Sequence, residues 1–64
     1  MQNKVKEYRE KAEMTQEQLA EKSGVSRNTI SSLETEANTN VTFETMQKIS
    51  NALNKKVATV FFDK

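Results

Sequence analysis

Apolar residues in this chain recur mostly at three- and four-residue spacing, the mark of amphipathic helices rather than strands. Val5, Tyr8 and Ala12 form one such stripe between charged neighbours, predicting a first helix from about Asn3 to Glu13 with Asn3 as a candidate cap. Thr15 and Gln18 stand at capping-box spacing, so a second helix is expected to begin at Thr15. Met14 is placed to staple onto Leu19, and Leu19 and Ala20 face inward. Gly24, the single glycine, ends that helix, because a left-handed backbone costs glycine nothing. Ser26 suits the cap of a third helix, with Ile30 and Leu33 as its buried stripe. Asn28, Ser31, Ser32 and Thr35 fall roughly on its opposite side, and Arg27 projects from its first turn. Residues 35–41 read as a loop. Thr42 then caps a fourth helix from Phe43 to about Leu53, in which Phe43, Met46, Ile49, Ala52 and Leu53 keep helical spacing. Ile30, Leu33, Phe43 and Ile49 are expected in the core, with Met14 and Met46 as adaptable filler.

The tail from about residue 55 to 63 breaks the pattern. Val57, Thr59, Val60, Phe61 and Phe62 are β-branched or aromatic, which favours a strand over a short fifth helix. The segment is too short for periodicity to decide. An extended tail has a consequence: a lone strand leaves backbone groups unpaired and invites pairing with an identical chain. Val57, Thr59 and Phe61 would line one face, Ala58, Val60 and Phe62 the other. The tail is therefore the expected dimerisation segment of a two-fold homodimer.

Composition narrows the chemistry. Sixty-four residues, without proline and without an internal boundary, predict one small domain over 1–64. Cysteine and histidine are both absent, which removes disulfides, most transition-metal sites and the usual acid–base catalyst. No glycine-rich phosphate loop or paired-carboxylate cleft is evident, so an enzyme is not expected, nor a cofactor or metal. Ten basic residues face nine acidic ones, for a net charge of +1; any nucleic-acid binding must come from local placement of charge. No apolar run is long enough to cross a bilayer and no signal peptide opens the chain, so a cytoplasmic protein without membrane contact is expected.

The stretch Gln16 to Leu33, QEQLAEKSGVSRNTISSL, carries the strongest signal. Two helices crossing closely need a small residue, supplied by Ala20, and a permissive turn four residues later, supplied by Gly24. Val25 can pin the turn, and Ile30 and Leu33 face the first helix. With Leu19, these fall at positions 4, 5, 9, 10, 15 and 18 counted from Gln16. Such a unit, about residues 16–34, holds one helix at an angle suited to the DNA major groove.

Through MTQEQLAEKSGVSRNTISSLE and the later VTFETMQKISNAL, the chain resembles the phage-repressor and Cro-like helix–turn–helix regulators, the Xre family. The resemblance spans about Val5 to Leu53. It implies an all-α core, a compact bundle of four or five helices, here combined with the expected C-terminal strand. It also implies that helix 3 enters the major groove, with Arg27, Asn28 and Ser32 reading base edges; arginine suits guanine and asparagine suits adenine. Gln16 and Ser26, at helix starts, would meet phosphate. Thr29 and Ser31 flank the reading face, and Asn38, Thr39 and Asn40 are candidate backbone contacts from the following loop. Arg9 and Glu34 match a pair that some members join as a partly buried salt bridge between helices 1 and 3.

The expected function is therefore sequence-specific binding of double-stranded DNA, on a palindromic operator, by a dimeric transcriptional regulator acting as a repressor. The competing reading is an antitoxin-type or other interaction module that keeps the fold and binds a toxin or another protein. Near-neutral charge and Glu36, which would repel phosphate, favour the second; Arg27, Asn28 and the short-chained polar face of helix 3 favour the first.

Overall fold

Five short helices follow one another in the computed structural model, which describes residues 3–35 and 41–62. They are α1 (Val5–Lys11), α2 (Gln16–Ser23), α3 (Arg27–Glu34), α4 (Phe43–Ala52) and α5 (Ala58–Phe62). The last is wound as a wide π-type turn. The packed molecule measures 23 × 20 × 19 Å. α2 packs on both α3 and α4, while α1 packs on α3 and α5.

Local signals explain where the helices begin and end. Thr15 Oγ1 accepts from the Gln18 N–H at 3.0 Å, and Gln18 Oε1 accepts from the Thr15 N–H at 2.8 Å, completing the capping box. Ser26 and Thr42 cap α3 and α4 by accepting from the backbone N–H groups of Thr29 and Thr45. Gly24 closes α2 at φ 76°, in the left-handed region. Glu13 (φ 58°) and Asn54 (φ 58°) occupy the same region after α1 and α4. At both of these ends the two following N–H groups bond back to the last turn: Glu13 to Glu10 and Met14 to Arg9, Asn54 to Asn51 and Lys55 to Ser50. α1 is accordingly shorter than its apolar stripe suggests, and Ala12, beyond its end, is exposed.

The core draws on every helix. Val5, Leu19, Ile30, Leu33 and Ile49 are completely buried. Met14, Tyr8 and Ala20 pack against this cluster from its edge. Each fully buried aliphatic side chain contributes about 1.5–3 kcal/mol. Phe43 does not join them: it is 61% exposed, although sequence spacing placed it in the core. It is the first residue of α4, and the inward face of that helix runs through Met46, Ile49, Ala52 and Leu53 instead.

The tail corrects the expectation of a strand. Among the described residues there is no strand at all, and 58–62 are helical. Val60 and Phe61 are both buried (1% and 5%) against this one core, whereas a pleated strand lying on it would turn consecutive side chains to opposite sides. Val57 packs on the same cluster, so the buried positions run 57, 60, 61, a helical spacing. The β-propensity of these residues measures fit to a sheet surface, and no sheet is present to receive them. Val60 accepts from the Lys4 N–H at 2.8 Å, docking the turn on the start of α1. Of the five expected dimer residues, Val60 and Phe61 are thus spent on the protomer's own core, Val57 and Thr59 are half-buried, and Phe62 remains 57% exposed.

Candidate nucleic-acid interface

The α2–turn–α3 unit is built from short-range devices. Gly24 turns the chain with open space around it: a Cβ there would meet nothing within 4 Å, so backbone angle rather than room demands glycine. Val25, next in the chain, is buried and anchors the turn, and its N–H donates to Ser23 Oγ at 3.2 Å. Ile30 and Leu33 lock the inner side of α3. The outer side then presents Arg27 and Asn28 exposed to solvent, with Ser31 and Ser32 half-buried beside them. Arg27 has no carboxylate partner among the described residues, so its guanidinium is available to an outside acceptor. Thr29 is half-buried and its hydroxyl lies 2.8 Å from that of Ser26, so these two side chains serve the start of α3.

The other end of α3 is clamped. Arg9 Nε and Nη2 donate to Glu34 Oε2 and Oε1 at 2.6 and 3.1 Å, a two-pronged pair with side chains only 12% and 4% exposed. Gln16 Nε2 donates to Glu34 Oε1 at 3.0 Å, and Arg9 Nη1 donates to the Met14 carbonyl. Burial pushes the Glu34 carboxyl up, but the hydrogen bonds from Arg9 and Gln16 and the charges of Arg9 and Lys6 outweigh it and hold the group below its ordinary range. The Arg9 guanidinium is held above its ordinary range, mainly by the hydrogen bond to Glu34, against the opposing effect of burial.

These contacts redistribute the roles expected from the sequence. Arg27, Asn28, Ser31 and Ser32 share the outer side of α3. Gln16, expected at phosphate, sits at the start of α2 but commits one amide N–H to Glu34. Asn38, Thr39 and Asn40 lie outside the described residues. Asn3 was expected as the cap of α1, but the cap position falls on Lys4, which makes no side-chain cap bond. From the residue before it, Asn3 Oδ1 accepts from the Val5 N–H at 3.0 Å and Nδ2 donates to the Leu33 carbonyl at 2.9 Å, thirty positions away. No local pattern announces that second bond.

Residues 5–60 match the family described as Helix-turn-helix. The chain belongs to that family, in its Xre and Cro/CI-like branch, whose members are DNA-binding transcription regulators. A similar fold is found in a chain of the solved complex of the SinR protein with the SinI protein. The two superpose with a TM-score of 0.83 at 34% sequence identity, over 88% of this chain and 54% of the other. The present chain thus spans about half the length of that neighbour. No curated protein matches. Among the described residues no helix is long and apolar enough to cross a membrane.

Proposed function

We propose that this domain is a cytoplasmic repressor that reads double-stranded DNA by inserting α3 into the major groove. The observation that carries the reading is the exposure of Arg27 and Asn28 on a helix fixed at both ends, by Gly24–Val25 before it and by the Glu34 clamp after it. Arg27 pairs with guanine and Asn28 with adenine, while Ser32 adapts to either base; the free N–H groups at the starts of α2 and α3, at Gln16 and Ser26, receive phosphate. Thr29, Ser31 and the loop residues Asn38, Thr39 and Asn40 flank that contact. The working unit is a two-fold homodimer on a palindromic operator, with recognition helices ~34–36 Å apart. A paired strand is not its basis. The exposed Phe62 is the tail side chain left to meet a partner.

Selection of bound sites from random duplexes tests this directly. A palindromic consensus supports it; recovery of no consensus at low salt overturns it.

A second reading is favoured by the net charge of +1 and by a structural neighbour solved in complex with another protein. On that reading the same fold binds a protein partner, as an antitoxin binds its toxin. Affinity for duplex DNA that falls steeply with salt supports the first reading, because phosphate contacts release counterions.

A further inference from the structure

We propose that Asn3 is a positioning residue for α3, setting the angle at which that helix stands against α1. The inference rests on the recognition role given to α3 above.

The last carbonyls of a helix have no partner within it and need one from outside. In α3 the Ser31 carbonyl receives the Thr35 N–H, and the Ser32 carbonyl receives the Thr35 hydroxyl at 3.1 Å; both partners are local. The Leu33 carbonyl receives the Asn3 amide at 2.9 Å, a bond from the far end of the chain. The same carboxamide accepts from the Val5 N–H at 3.0 Å. One planar group therefore fixes the first residue of α1 and the last turn of α3 in a single geometry, with its oxygen on one helix and its nitrogen on the other. An asparagine side chain has two torsions, so satisfying both bonds leaves little freedom between the helices.

The neighbouring residue extends the tie. The Lys4 N–H donates to the Val60 carbonyl at 2.8 Å, so the segment holding α3 is itself held by α5. The Arg9–Glu34 pair joins the same two helices through long, flexible side chains. The Asn3 amide is a second and shorter tie, bonded at both ends to main-chain groups. A residue outside the helix–turn–helix thereby governs how squarely Arg27 and Asn28 meet a duplex.

Asn3→Ser is the test, because a serine hydroxyl still accepts from the Val5 N–H but is too short to reach Leu33. Asn3→Asp is the second variant, keeping the acceptor and removing the donor. Residual dipolar couplings on the wild type and both variants report the angle between α1 and α3, and the Leu33 carbonyl shift reports its hydrogen bond. Duplex titrations report the ratio of affinity for a selected site over a scrambled one. The expected result is a changed or broadened α1–α3 orientation, a shifted Leu33 carbonyl, and a roughly five- to tenfold loss of that ratio with the salt slope unchanged. Couplings equal to wild type in a folded variant overturn the proposal. A changed angle with an unaltered ratio overturns it as well. Should the wild type itself prefer no duplex, the DNA-reading role of α3 falls, while the couplings still decide whether Asn3 sets its angle.

Discussion

Arg9 and Glu34 meet through two N–H···O bonds of 2.6 and 3.1 Å, joining α1 to the last turn of α3 in a partly buried position. Removing one partner strands the other charge. Arg9→Met or Glu34→Leu alone should therefore lower unfolding free energy by about 3–5 kcal/mol. The double variant, apolar on both sides, should recover most of that loss. Urea denaturation of the three proteins in a double-mutant cycle measures both effects.

The same pair makes stability depend on pH in one direction. The folded state holds the Glu34 carboxyl below its ordinary range, so the unfolded chain binds its proton first as pH falls. The stabilisation is complete above the ordinary glutamate range and is lost as pH drops towards the lowered value. Melting temperature followed from neutral to acid pH should fall more gently in Glu34→Gln than in the wild type, and a parallel fall in both contradicts the assignment.

Two left-handed backbone positions should respond in opposite ways. Gly24→Ala introduces a Cβ into open space but at φ 76°, and should cost about 1–2 kcal/mol from backbone strain alone. Glu13 already carries such strain at φ 58°, so Glu13→Gly should stabilise by about 0.5–1 kcal/mol. Thermal melts of both variants check the signs.

Ser50 is completely buried in α4, and its hydroxyl has no hydrogen-bond partner among the described residues. An unsatisfied buried hydroxyl destabilises, and alanine is also the better helix former. Ser50→Ala should raise the urea midpoint, by about 1 kcal/mol of stability. A lower midpoint would show that the hydroxyl has a partner in solution.

In the tail, burial separates folding from association. Val60→Ala should cost about 1–2.5 kcal/mol of folding stability, whereas Phe62→Ser should weaken self-association and leave the melt unchanged at concentrations too low for dimers. Sedimentation velocity alongside thermal melts distinguishes the two.

How legible these features were depended on the range of the forces involved. The caps at Thr15, Ser26 and Thr42 and the stop at Gly24 act over three or four residues, so their chemistry is written locally and each stands where it was expected. The core positions Ile30, Leu33 and Ile49 follow from helical period alone. The tail was not legible because its β-branched and aromatic composition favours a strand, its length is too short for periodicity to decide, and strand propensity has no meaning without a neighbouring strand. Phe43 misled because period says which side a residue faces but not whether the core extends to the helix's first turn. The bonds from Asn3 to Leu33 and from Gln16 to Glu34 span thirty and eighteen positions and depend on how three helices cross, which no short window of sequence encodes.

The most direct test of the account compares Asn28→Ala with the wild type in site selection from random duplexes, at matched thermal stability. Relaxed preference at one base position in each half-site, with the salt dependence retained, is the predicted outcome. A profile identical to the wild type's would contradict the claim that the outer side of α3 reads sequence.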